Sequence, residues 1–98
     1  MDKLETFAEL LEREQIEELH RQGLACQPNV DNCRVRIIPG RKYTRVDVGT
    51  SGKYMVMNDT GEIYGIKAYG VIHRGHKYGT LETISDWYWG EYVGRLKR

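Results

Sequence analysis

Lys53 to Leu81 reads KYMVMNDTGEIYGIKAYGVIHRGHKYGTL, and this stretch decides the fold. KYMVMN and EIYGIK are short runs rich in aromatic and branched residues, the composition of half-buried strands. Asp59-Thr60-Gly61 between them reads as a three-residue turn, with glycine where a positive φ is needed. That turn sets Val56 opposite Tyr64 and Tyr54 opposite Ile66 on one face, with Met57–Ile63 and Met55–Gly65 on the other. Both faces are apolar in the middle, so the hairpin is expected to be sandwiched, with a helix on one side. Beyond it the chain reads as leaving the sheet in a glycine-punctuated basic loop that carries His73, Arg74, His76, Lys77 and Tyr78.

Upstream lies a second hairpin, CRVRII and YTRVDV joined by Pro39-Gly40-Arg41-Lys42. Alternation places Val35, Ile37, Val46 and Val48 on a core face and Arg34, Arg36 and Arg45 on the other. A register set by the four-residue loop pairs Ile38 with Tyr43, Arg36 with Arg45, and Arg34 with Asp47. Like charges directly opposite are unfavourable, so this face is expected to need an anion. The acidic helix, a phosphate or an acidic partner could supply it. Gly49-Thr50-Ser51-Gly52-Lys53 forms the turn between the hairpins. It lacks the leading glycine, the hydroxyl after the lysine and the following helix of a phosphate-binding loop.

Residues 2–22 read as a helix with Asp2 as cap and Glu5 three residues on. Leu4, Phe7, Ala8 and Leu11 form one stripe that Ile16 and Leu19 continue, and Gly23 suits the stop. Leu24 to Asn32 is expected to be a loop. The stretch from Thr83 to Trp89 reads as irregular with one turn of helix, its Trp87, Tyr88 and Trp89, with Tyr92 beyond, plugging a small core. The last residues, Arg95, Lys97 and Arg98, are expected to fray.

Ninety-eight residues, 40% hydrophobic and 30% charged, describe one ordinary globular domain. Its parts are an acidic amphipathic helix (1–23), an antiparallel sheet with a basic loop (33–81) and an aromatic tail (82–98). The fold class is α+β, a helix on about four strands arranged as two consecutive hairpins. The net charge of +1 conceals an asymmetry: residues 1–21 hold seven acidic and three basic groups, −4, and the remainder seven and twelve, +5. No apolar run approaches the ~20 residues of a membrane span, and the acidic amphipathic start is unlike a signal or transit peptide. A cytoplasmic location without membrane contact is therefore expected, with Cys26 and Cys33 as reduced thiols.

His73 and His76 form an H-x-x-H pair, but Cys26, Cys33 and His20 do not complete a recognisable zinc spacing, so neither metal nor cofactor is expected. The two histidines with Lys77 and Tyr78 are also the residue types of metal-free phosphodiester hydrolysis. They lack a clear orienting carboxylate, and no catalytic residue is assigned. Binding is the commoner use of a cationic, glycine-flanked segment beside an aromatic. The sequence pI of 7.8 is low for a dedicated DNA binder.

In Lys42–Asp47 (KYTRVD), Ser51–Val56 (SGKYMV) and Gly61–Leu81 the chain resembles small proteins encoded in tailed-phage and prophage genomes. That family has no assigned activity, so no residue role transfers. The resemblance implies an accessory protein of the host cytosol that binds a host complex or captures a small effector, with inhibition of host defence as one such role. The function expected is non-catalytic binding of an anionic partner, whether an acidic host protein surface, a nucleotide or nucleic acid. Arg34, Arg36, Arg45, His73, Arg74, His76, Lys77 and Tyr78 are the candidate contacts. The alternatives are a small nucleic-acid-binding module and a histidine-dependent phosphodiester hydrolase.

Overall fold

Phe7, Leu11, Glu14 and Glu18 recur at i, i+4, i+7 and i+11, and that stripe turns the first helix, α1 (Lys3–Arg21), onto the rest of the protein. The computed structural model describes residues 3–68, 71–91 and 93–97. The Asp2 cap, the Tyr69-Gly70 step, Tyr92 and Arg98 lie outside that set. α1 ends as expected at Gly23, whose φ of +72° admits a six-to-one closure. The Leu24 N–H donates to Leu19 O and the Gly23 N–H to His20 O. The segment expected as loop then forms a short helix, α2 (Gln27–Asp31), with Pro28 in its first turn, where a missing N–H does no harm.

Five strands follow as an antiparallel meander: β1 (Val35–Ile38), β2 (Tyr43–Val48), β3 (Ser51–Met57), β4 (Glu62–Ala68) and β5 (Val71–Thr80). The α+β reading stands, with one strand more than expected and three local corrections. First, β1 and β2 pair two residues away from the anticipated register, with Ile38 opposite Arg45 and Arg36 opposite Asp47. The connection is wide because Asn58 holds it open. Its amide donates to Gly40 O and Arg41 O and accepts from Thr44 Oγ1, while its backbone N–H reaches Lys42 O. A two-residue shift leaves every side chain on its expected face.

The second correction concerns the central hairpin. Its turn takes four residues, Asn58–Gly61, closed by the Gly61 N–H on Met57 O at a φ of +74°. Pairing is therefore Val56 with Ile63, Met55 with Tyr64 and Tyr54 with Gly65. This is one residue from the anticipated register, which moves Tyr64 to the outer face and Ile63 into the core.

The third correction is that His73–Tyr78 is no loop. It belongs to β5, an edge strand whose polar and glycine residues hid its period.

On the inner face Val46, Val48, Tyr54, Val56, Ile63 and Tyr78 meet Phe7 and Leu11, with Val35 half-buried at the margin. Trp89 fills the centre at 0% exposure, edge-on to Phe7 at 4.8 Å and to Tyr54 at 5.3 Å. The tail thus plugs the core as expected. It is also more ordered than expected: a 3₁₀ turn (Ile84–Asp86) leads to β6 (Trp87–Tyr88), which pairs with β7 (Arg95–Leu96). Lys97 N–H closes on Asp86 O, so residues 95–97 are tied down.

The acids of α1 explain that order. Glu14 accepts the Trp89 N–H at 2.8 Å, the Gln15 amide donates to Trp89 O, and the Tyr88 hydroxyl donates to Glu18. Glu12 accepts the Val35 N–H at 2.8 Å. These side chains do the work of a neighbouring strand, satisfying backbone groups that no ladder reaches.

Candidate functional site

In an unbroken strand residues i and i+3 point to opposite faces, so His73 and His76 should part. They do not, because β5 carries a bulge. Gly65 lies opposite His73 while Tyr64 lies opposite Lys77, which leaves Arg74, Gly75 and His76 as extra residues on β5. The bulge folds both imidazoles to one side, ring centroids 4.2 Å apart and planes tilted 47°. Gly75 permits the approach, since a Cβ there would stand 3.1 Å from His73 Cε1.

A second bulge, on β3, faces them. Val46 pairs with Tyr54 and Asp47 with Gly52, so Lys53 is the extra residue. Together the bulges border a groove of about 250 Å³ lined by Gly52, Lys53, Gly65, Ile66, His73, His76, Tyr78 and Val93. The two glycines make room for neighbouring side chains: a Cβ at Gly52 would stand 3.2 Å from Ile66 Cδ1, and one at Gly65 3.4 Å from His76 Cβ. His73 Nδ1 is buried with no hydrogen-bond partner among the described residues, and His76 Nδ1 lies 3.5 Å from the Tyr78 hydroxyl. Burial pushes the Lys53 ammonium below its ordinary pKa and the Tyr78 phenol above its own.

Of the eight residues expected at the site, the groove collects His73, His76 and Tyr78. Arg74 turns away onto Tyr43, with a bond to its hydroxyl and the guanidinium 6.0 Å from its ring. Lys77 pairs with Glu62. Arg45 bonds Asp47, two residues on and on the same face, at 2.8 Å. The expected Arg36–Arg45 pair does not form, because the register sets Arg36 opposite Asp47 and Arg45 opposite Ile38. Arg34 and Arg36 sit by β1, at the opposite edge of the sheet from β5. Sequence reasoning missed Lys53 and Val93. The available signal for Lys53 was a charge directly before the apolar run YMVM; Val93 had none.

Displacement at a phosphodiester sets base and acid on opposite sides of phosphorus, in line. Two imidazoles in contact at 4.2 Å leave no gap to seat that atom between them. No group of three His, Cys, Asp or Glu side chains gathers for a metal among the described residues. Cys26 is exposed and Cys33 buried, both free thiols. No helix among the described residues is long and apolar enough to cross a membrane. Comparison of the chain with known protein families, curated proteins and solved structures finds no match.

Proposed function

We propose that this protein binds, without chemical conversion, a small phosphate-bearing ligand of the nucleotide type in the groove between the β3 and β5 bulges. The observation that carries the reading is the juxtaposition of His73 and His76 beside Lys53 in the groove between the two bulges. The imidazole nitrogens and the Lys53 ammonium are hydrogen-bond donors gathered at one groove, and a phosphate seated among them gains charge-assisted hydrogen bonds. Ile66, Val93 and the Tyr78 ring offer an apolar wall to a base or sugar. The resemblance to phage-encoded proteins supports a setting in a host cytosol. There, sequestering a nucleotide effector would blunt a host defence that signals through it.

Calorimetric titration with adenosine monophosphate, inorganic phosphate and adenosine tests this. The nucleotide should bind more tightly than either fragment. His73→Asn with His76→Asn should weaken it about tenfold to a hundredfold, the worth of one charged hydrogen bond. Unchanged affinity in that variant, or hydrolysis of a bound phosphodiester by the wild type, overturns the proposal.

A further inference from the structure

Among the described residues, only one of the sheet's two faces carries a second layer. α1 and the tail pack on the inner face, around Val46, Tyr54, Val56 and Ile63. On the outer face the registers set two rows side by side. Ile38, Arg45, Met55, Tyr64 and Lys77 form one, and Tyr43 with Met57 forms the next. None of these residues belongs to the core cluster. Met55 is nevertheless only 8% exposed, so the long side chains around it close over it. The outer face is therefore a methionine floor with two half-exposed tyrosines, Tyr43 on β2 and Tyr64 on β4.

The tyrosines stand among cations. Lys77 pairs with Glu62 and Arg45 with Asp47, while Arg36 lies opposite Asp47 and donates to Gly49 O. Lys42 lies 5.7 Å from the Tyr43 ring, and Arg74 reaches from β5 to the Tyr43 hydroxyl. Five cations and two carboxylates leave this face at +3, and the adjoining turns add one of each sign, Arg41 and Asp59. The opposite layer is the acidic one, since residues 1–21 carry −4. A polyanion is repelled by the helix side and drawn to the bare sheet.

We infer that the outer sheet face binds single-stranded nucleic acid. Bases stack on Tyr43 and Tyr64, and phosphates meet Arg36, Lys42 and Arg74. Unpaired bases present the ring faces that such tyrosines take, whereas a duplex keeps them stacked on one another. A second copy of this chain is the poorer occupant, because packing face to face sets +3 against +3. An acidic protein would meet the charge but makes no use of the two rings. The inference does not rest on the histidine groove, none of whose lining residues it uses.

The test is fluorescence anisotropy of a labelled oligothymidylate decamer, with a duplex of the same length and a glutamate decapeptide for comparison. The single strand should bind, its log affinity falling against log salt with a slope of about −2, three phosphates at about 0.7 each. Arg36→Gln with Arg74→Gln should make that slope shallower by about 1.4, for two phosphates fewer. Tyr64→Leu should weaken binding about tenfold and Tyr64→Phe should not, because stacking needs the ring and not the hydroxyl. His73→Asn with His76→Asn should leave binding unchanged; its loss there would move the site to the groove and overturn the inference. Equal binding by Tyr64→Leu refutes stacking, and an unchanged slope in the arginine variant refutes the phosphate contacts. No binding of the single strand at low salt, or tighter binding of the duplex, overturns the inference altogether. Equal binding of the glutamate decapeptide does so too, and would assign the face to an acidic protein.

Discussion

Glu14→Ala removes an acceptor and leaves a donor. Glu14 is 8% exposed and its carboxylate accepts the N–H of Trp89, a residue at 0% exposure. Water cannot reach that N–H once the carboxylate is gone, so the loss is the full desolvation of a buried donor, about 1–3 kcal/mol. The bond itself has a charged acceptor, which places the expectation in the upper part of that range, about 2–3 kcal/mol. For a domain of this size each kcal/mol moves the melting temperature by about 4–8 °C, so a fall of about 8–24 °C is expected. Glu14→Gln keeps an oxygen in place and should recover at least half of the loss. Thermal melts followed by tryptophan fluorescence and urea melts with a common m-value measure both. A Glu14→Ala protein within about 0.5 kcal/mol of wild type would refute the idea that α1 replaces a strand for the tail.

Four further outcomes are expected. Phe7→Ala should cost about 3–5 kcal/mol, since Phe7 is fully buried between Tyr54 and Trp89, as urea melts would show. Arg45→Gln should lower stability by about 2–4 kcal/mol, because it leaves Asp47, 5% exposed, without the guanidinium that bonds it; a neutral or stabilising result would show that the pair is not needed. Native alkylation with iodoacetamide should add one adduct by mass spectrometry, on exposed Cys26, since burial covers the Cys33 thiol and pushes its pKa up. Glu18 is held below its ordinary 4.5, chiefly by the Tyr88 hydroxyl, so its contribution is present above 4.5 and lost as pH falls through the lowered value. The melting-temperature gap between wild type and Tyr88→Phe should therefore narrow as the pH is taken down through that window.

The sequence carried the elements further than their registers. Alternation in CRVRII and YTRVDV identified two strands and their core faces, and the two-residue register error left those faces intact. The one-residue error in the next hairpin did not, because the turn was counted as three residues when Asn58 is part of it. No local signal announces that Asn58 also bonds the preceding loop, as this is a tertiary contact. β5 escaped notice because Arg74, Gly75 and His76 interrupt its period, and the same bulge that concealed the strand creates the candidate site. His73, His76 and Tyr78 were legible as residue types, but their convergence with Lys53 needs both bulges. The stripe expected for α1 holds only apolar residues, whereas Glu14 and Glu18 continue its Phe7–Leu11 line at helical spacing, a pattern visible in the sequence once charge is allowed on a buried face.

Trp89 sits at the middle of the core yet is joined to Glu14 across 75 positions of chain. During synthesis the helix and all five strands of the sheet emerge from the ribosome before the residue that fills the space between them. Until then Phe7 and Tyr54 face a vacancy, and Glu14 has no backbone N–H to accept. Contacts of such long sequence separation are slow to form, since much chain entropy is lost before any of them stabilises. A nascent or prematurely ended chain that stops short of Trp89 is therefore an open sandwich, exposing apolar surface to proteases and to other chains. Arrival of Trp89, and of the Arg95–Leu96 strand that pairs beside it, is the step that closes the core.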